Sequence, residues 1–340
     1  MTQSSMEGHG LYNENSRPQG SAGDLGIPLF ERAAAAVPLP ADGPLAIADF
    51  GSSEGRNSMG PMGAAIAAIR ARAAALPVTV THTDVATNDF SSLFALLNGG
   101  APSYLAGNAG VYGYAVGRSF YGQLFPANAL HLAWSAIAVH WMSAVPCAIP
   151  GHIFSTFARG AVREAFVERA ASDWRSFLDA RARELVPGGR LVLVASGAAD
   201  DGKAGAEGLM TIADAALQAM VASGELPAAT YAAMTIPTYY RTRAEWEAPF
   251  AGNAALAIEE MTPVVLADPF YPAYERSGDA QAFATSYAAF FRAFSEPCLF
   301  GETGGATADA FYARVRTAIA ADPATAVCRW QLFLMRIRRV

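Results

Sequence analysis

Short apolar runs alternate with longer segments of helical periodicity along the first two-thirds of the chain. Leu45 to Phe50 is the first such run and reads as a strand. Pro77 to His82 is rich in Val and Thr and continues to Asp84, which predicts a second. Val111 to Val116 alternates weakly and reads as a third. Leu130 to His140 mixes apolar and small residues, the pattern of a buried strand running into a loop at Trp141. Arg190 to Ala195 is almost unbroken Leu, Val and Ala, as expected of a central strand covered on both faces. Ser58 to Ala75, Asn88 to Leu97 and Val162 to Leu185 read as helices, Asn88 or Asp89 capping the second. In the third, Phe166, Trp174, Phe177, Leu178 and Leu185 fall at helical spacing with charges between, and Pro187-Gly188-Gly189 is a sharp stop.

This alternation predicts an α/β fold, a doubly wound parallel sheet with helices on both faces. After Ser196 the pattern changes. Residues 199–208 are a Gly/Asp/Ala loop, Leu209 to Ser223 a helix, and Ile236 to Tyr240 an aromatic turn. Leu256 to Met261 reads as a strand, residues 268–325 as mostly helical and aromatic-rich, and Cys328 to Ile337 as a closing strand. Residues 1–25 are polar, with Gly and Pro, and read as an arm or tail.

Composition narrows the function. The 340 residues are 52% hydrophobic, enough for a large core. The net charge is −6 with no basic stripe, so no nucleic-acid partner is expected. Cys147, Cys298 and Cys328 are odd in number and far apart, which suits a reducing, cytoplasmic setting without disulfides or a zinc pair. There is neither an apolar run of about 18 residues nor a signal-like start, so neither a membrane span nor a secretory leader is expected. The abundance of alanine favours helix and suggests a bacterial source.

The most informative stretch is Ile47 to Asn57, an apolar run ending in Asp49, then Gly51, Ser52, Ser53 and Gly55 before a helix. Strand, tight loop and helix in that order open nucleotide-binding α/β units. Ser53 stands where a dinucleotide fingerprint needs its second glycine, and there is no Gly-Lys-Ser/Thr of a phosphate loop. A close-approaching loop without a basic residue suits a nucleoside without phosphates, of which S-adenosylmethionine (SAM) is the common one. A structural strand-to-helix turn fits the same stretch.

Asp84 follows Asp49 at the end of the second predicted strand, where an acid accepts hydrogen bonds from ribose hydroxyls in such folds; a surface acid at a strand end is the alternative. His140-Trp141 ends the fourth. An indole N–H is only a donor and suits a carboxylate oxygen, while core packing is the commoner fate of a tryptophan. His140, His131 and His152 lack a histidine at helical spacing, so no metal site is expected. No Gly-x-Ser-x-Gly elbow occurs, which argues against a hydrolase. Glu259 and Glu260, adjacent on a strand, point to opposite faces and read as structural.

Several segments together resemble the SABATH methyltransferases, the salicylate and benzoate carboxyl methyltransferases and their relatives, including caffeine-pathway N-methyltransferases. They are Tyr12 to Gln19, Ile47 to Asn57, Thr83-Asp84-Val85 with Asn88-Asp89-Phe90, Gly117 to Pro126, His140-Trp141-Met142-Ser143, Glu184 to Arg190, and Ile236 to Tyr239. The resemblance runs from about residue 7 to 340 and is carried by the number and order of its motifs.

The resemblance implies a Rossmann-like class I methyltransferase core, a mostly parallel seven-stranded sheet, with a helical cap. The core would span 25–205, 250–263 and 326–340. An arm, 1–24, would lie over the active site, and 206–249 with 264–325 would form the cap and acceptor pocket. Ser16 and Asp49 would hold the amino-acid part of SAM, with Gly51 and Asn57 close by. Asp84 would take the ribose, Val85 the adenine, and Ser119 and Phe120 would contact the adenine. Gln19 and Trp141 would donate to a substrate carboxylate, with His140 beside them. Tyr12, Ile137, Met210, Ile236 and Tyr239 would complete the acceptor pocket. A homodimer is also implied. The expected activity is SAM-dependent carboxyl O-methylation of a small acid, without metal or general base. N-methylation of a heterocycle, methylation of a phenol, and a SAM-binding protein without catalysis are the alternatives. Ser52 in place of the usual cysteine, Arg56 for a proline and Ile137 for a tyrosine leave the acceptor open.

Overall fold

The computed structural model describes residues 6–301 and 304–340. Seven strands form one sheet: β1 (Leu45–Phe50), β2 (Val78–Asp84), β3 (Val111–Gly117), β4 (Leu130–Ala136), β5 (Leu185–Ser196), β6 (Leu256–Leu266) and β7 (Trp330–Arg339). Their order is β3-β2-β1-β4-β5-β7-β6, the first five parallel and β7 antiparallel to both its neighbours.

On one face of the sheet lie α2 (Arg17–Ala36) and α3 (Met59–Arg72), following the short α1 (Leu11–Asn15). α4 (Phe90–Asn98) packs with the same cluster through Leu93 and Leu97. The opposite face is covered by α5 (Gly160–Glu184), whose Trp174, Phe177 and Leu178 pack on Ala133, Leu191 and Leu193. The chain between β5 and β6 holds α6 (Glu207–Ala222), α7 (Ala228–Ala233) and α8 (Arg243–Glu247); that between β6 and β7 holds α9 (Tyr271–Ser277), α10 (Ala280–Leu299), α11 (Gly305–Ala321) and α12 (Pro323–Ala326). α6, α10 and α11 share a separate apolar cluster that includes Met210, Leu217, Phe283, Phe291 and Phe311. That cluster is the core of the cap.

The structure differs from the pattern reading at four places. β4 stops at Ala136, because Ile137 turns into left-handed backbone at φ 51°; His140 and Trp141 therefore sit on a loop, not at a strand end. Pro187-Gly188-Gly189 does not separate helix from strand: α5 ends at Glu184 and β5 starts at Leu185, with Gly188 absorbing a φ of 78°. α2 runs across residues 24 and 25, where arm and core were divided, so the second half of the polar arm is a helix packed on the sheet. Glu259 and Glu260 do not face apart. A bulge between Ile258 and Glu260 lets both reach Arg336, while Glu259 also pairs with Arg190 and Arg338, and Glu260 with Arg32. Among the described residues no helix is long and apolar enough to cross a membrane.

Candidate active site

β1 and β4 are neighbours at the place where strand order reverses, the position at which doubly wound sheets receive ligands. Beyond β1 the chain turns through Gly51, at φ 85°, whose N–H donates to the Thr83 carbonyl at 2.8 Å. A Cβ on Gly51 would lie 2.3 Å from that of Ala138, so no other residue fits this turn. Ser53 follows at φ 48°, and its N–H donates to Asp84 Oδ2 at 2.7 Å; the Val85 N–H donates to Asp84 Oδ1 at 2.8 Å. These two bonds fix the carboxylate at the end of β2. Burial nevertheless raises its pKa to about 6, with the two amides opposing the shift.

Asp84, Val85, Gly51, Ser53 and Phe120 line one cleft. No lysine or arginine lines it, and the buried Ser53 hydroxyl has no partner among the described residues. A cleft with an acid at its rim, a cradle without Cβ and no cation fits a phosphate-free nucleoside such as SAM and does not fit a pyrophosphate.

Four residues expected at this cleft stand outside its lining. Asp49 is 2% exposed, and its Oδ2 accepts from the Ser58 hydroxyl at 2.5 Å and meets His82 Nδ1 at 2.9 Å. His82 Nε2 in turn meets the Tyr104 hydroxyl at 3.0 Å, so the acid anchors a buried chain below the loop. Asn57 donates to Ser16 Oγ at 3.0 Å, tying the start of α2 to the turn before α3. Ser119 stays in the turn before Phe120, its hydroxyl 3.5 Å from the Tyr121 nitrogen.

A second cavity adjoins the first. Met6, Tyr12, Ile137 and Trp141 line both. Gln19, from α2, His140, Ser196, Thr238 and Tyr240 supply its other polar groups, and Phe290, Phe294, Leu266, Trp330 and Leu332 its apolar wall. The two chambers hold about 50 and 60 Å³. Ile137 is β-branched yet left-handed, a strained conformation held by its N–H bond to the Val194 carbonyl at 2.8 Å. Its strain turns the chain out of the sheet and delivers His140 and Trp141 to the cavity.

A short ladder holds that pair: Trp141 bridges Thr238, Met142 N–H donates to Pro237 at 2.8 Å, and Tyr239 N–H donates to His140 at 2.9 Å. The His140 ring stacks on Tyr240 with centroids 5.5 Å apart. Burial, aided by the Arg241 charge, lowers its pKa to about 3, so the imidazole is neutral at pH 7. Gln19 Oε1, His140 Nδ1 and Thr238 Oγ1 are buried without partners among the described residues. The Tyr12 hydroxyl is held protonated by burial and by the carboxylates of Asp84 and Glu54.

Gln19, Tyr12, Ile137, His140 and Trp141 are thus brought together as expected. Met210, Ile236 and Tyr239 are not. Met210 and Ile236 are buried in the cap core. Tyr239 points the other way, packing near Met142 and Phe166 and donating to Glu245 at 2.7 Å. Alternation along 238–240 explains Tyr239: Thr238 and Tyr240 face the cavity, so the residue between them does not. Phe290 and Phe294 were legible only as a one-face pair on α10. Leu266, Trp330 and Leu332 come from strand ends and carry no local signal.

The arm that roofs both chambers is pinned on two sides. Gly10 and Asn13 N–H groups donate to the buried Glu54 carboxylate at 2.6 and 2.9 Å, and Glu7 N–H donates to Ala293, on α10, at 3.1 Å.

Comparisons with known proteins agree with the fold. The family described as SAM dependent carboxyl methyltransferase matches residues 1–340. The chain is 28% identical to "Probable caffeine synthase 2" of Camellia sinensis over 263 residues, 73% of this chain and 70% of that protein. It is 30% identical to "Methyltransferase FUS9" of Gibberella moniliformis over 239 residues, 70% of this chain and 64% of that one. The solved structure "Loganic acid methyltransferase with SAH" shares the fold with a TM-score of 0.83 at 21% identity, covering 99% of this chain and 98% of that one. The chain is an S-adenosylmethionine-dependent methyltransferase and belongs to the SABATH family of SAM-dependent carboxyl methyltransferases.

Proposed function

We propose that this protein transfers the methyl group of SAM to the carboxylate of a small, largely apolar acid. The observation that carries this reading is the acceptor chamber itself. It is mostly apolar, it is lined by both Trp141 and Gln19, and Trp141 also lines the adjoining cofactor cleft. An indole N–H and an amide N–H in an apolar setting would suit an ionised carboxylate, which is already a nucleophile at pH 7 with a pKa near 4. His140, neutral down to about pH 3, is a poor proton acceptor, and methylating a carboxylate requires none.

Bound SAM supplies a methyl on a positively charged sulfonium. As the acid oxygen bonds to that carbon the carbon–sulfur bond breaks, leaving a methyl ester and a neutral thioether, with no proton moved. The chain's work is alignment. Asp84 accepts from the ribose hydroxyls, Val85 and Phe120 pack on the adenine, and Gly51 permits close approach. Gln19 and Trp141 hold the acid so that oxygen, carbon and sulfur lie in line at about 3–3.5 Å. The arm over both chambers excludes water while charge is neutralised.

One relative is named a 3,7-dimethylxanthine N-methyltransferase, which makes nitrogen the competing acceptor. The test is to incubate the protein with labelled SAM, a pool of small aromatic and medium-chain acids, and a pool of N-heterocycles, and to identify labelled products by mass. Methyl esters are expected. Products labelled only on nitrogen would overturn the carboxyl reading.

A further inference from the structure

The apolar wall of the acceptor chamber takes Leu266 from the end of β6, Phe290 and Phe294 from α10, and Trp330 and Leu332 from the start of β7. Near that wall, one buried carboxylate, Asp268, lies just past β6 and accepts from α10 and from the chain leading into β7. We propose that Asp268 is a positioning residue: it fixes this wall and so sets the size of acceptor that the chamber admits. The proposal rests on reading the chamber as the acceptor's, and not on whether the acceptor atom is oxygen or nitrogen.

Asp268 is 5% exposed and fully engaged. Its Oδ1 accepts from the Phe270 and Tyr271 N–H groups at the start of α9, at 2.8 and 3.0 Å. Its Oδ2 accepts from the Cys328 N–H at 3.0 Å and from the Tyr287 hydroxyl. An ionised carboxylate offers about four acceptor sites, and these donors take them all. Out of water an acid short of donors is costly, so the donors hold their places around it.

Each partner stands a short step from a wall residue. β6 and β7 stay paired up to Leu266 opposite Trp330. Asp268 and Cys328 lie two residues beyond that pair, so their bond closes the open end of the ladder. Tyr287 precedes Phe290 by three residues and Phe294 by seven on α10, which puts the three on one face. Stacked rings carry the link inward. The Phe270 centroid lies 5.3 Å from that of Tyr287 and 6.2 Å from that of Phe290; Phe290 in turn lies 5.2 Å from Phe294 and 6.5 Å from Trp330. The Arg17 guanidinium sits 5.9 Å over the Phe270 ring, at the start of the helix that carries Gln19. Loosening the carboxylate frees β6, β7 and α10 from one another, and the chamber widens.

Steady-state kinetics test this, on the most rapidly methylated compound of the two pools above and on bulkier members of its series. Asp268→Asn replaces one acceptor oxygen by an N–H donor. Tyr287→Phe keeps the ring and removes only the hydroxyl, so it carries the test even where Asp268→Asn does not fold. Each should raise KM for the best acceptor by about tenfold, favour bulkier acceptors by a similar factor, and leave kcat within about twofold and SAM affinity unchanged. Asp214→Asn is the control. This acid is likewise buried in the cap, accepts from Gln218 and Tyr231 at 2.7 and 3.0 Å, and lines neither chamber, so its loss should leave acceptor KM and selectivity unchanged. Unchanged KM and selectivity in both Asp268→Asn and Tyr287→Phe, an equal effect of Asp214→Asn, or a parallel loss of SAM affinity would overturn the proposal. Products labelled only on nitrogen would sink the carboxyl reading alone, since the same kinetics then run on that acceptor.

Discussion

Trp141 and Thr238 face each other across a single antiparallel bridge, and both line the acceptor chamber. Directly opposed residues of this kind place their Cβ atoms about 4.5–5.5 Å apart, so the two side chains are neighbours in the chamber wall. Trp141→Phe keeps the bulk of this pair and removes the N–H donor. The expected result is a fall in kcat/KM for the acid equivalent to about 1–3 kcal/mol, with the ester still the product. Unchanged steady-state kinetics would take Trp141 out of acceptor alignment.

Asp84 gives the cofactor cleft a pH dependence. In the folded protein it keeps its proton up to about pH 6. The native state therefore binds this proton more tightly than the unfolded chain does, and the stability it contributes falls as pH rises from the ordinary carboxylate range through 6. In the proposed function donor binding runs in the opposite direction, since an acid that accepts from two ribose hydroxyls does so best when ionised. SAM affinity should be roughly tenfold weaker one unit below the pKa than well above it. Calorimetry at a series of pH values checks this, and Asp84→Asn, which cannot titrate, should bind weakly with a flat profile.

His140 should leave no mark on the pH–rate profile. With its pKa lowered to about 3 by burial and the Arg241 charge, it is neutral throughout the working range. At saturating SAM and acid, kcat should be level between about pH 6.5 and 8.5. A limb near neutrality in that profile would mean that a base takes part, and would favour a phenolic acceptor over a carboxylate.

Gly26 separates two opposing effects. On an exposed helix Gly→Ala gains about 1 kcal/mol. Here the new Cβ would lie 2.3 Å from Val194 Cγ2 and 2.7 Å from the Trp134 ring. Overpacking costs about 1–3 kcal/mol, so Gly26→Ala should lower stability on balance and lift α2, with Gln19, from the sheet. Gly63→Ala on α3 meets nothing within 4 Å and should raise the thermal midpoint instead. Paired melting curves decide.

The half of the fold that binds the nucleoside was legible because its signals are local. Leu45 to Gly55 encodes strand and turn in one short stretch, and Asp84 closes the next strand. α2 was hidden by its own function: Pro18, Gly20, Gly23, Gly26 and Pro28 depress helix propensity, yet Ala22, Gly26 and Ala33 make the small-sided face that lets it close on the sheet at Trp134. The end of β4 was misplaced because a left-handed Ile137 is set by its surroundings, not by its own preference. The acceptor wall was the least legible part. It is assembled from α10 and the ends of β6 and β7, which are far apart in sequence and meet only in the folded chain.

The N-terminal arm is a ceiling common to both chambers, through Met6 and Tyr12, and it is fastened to the core at Glu54 and to the cap at Ala293. Rooms of about 50 and 60 Å³ are far smaller than the hundreds of Å³ that small ligands fill, so each guest is expected to displace that ceiling. Whichever molecule arrives first has already done part of the lifting for the second. Donor and acceptor are thereby mechanically acquainted before any bond is exchanged, through a strap a few residues long that tugs on cap and core alike.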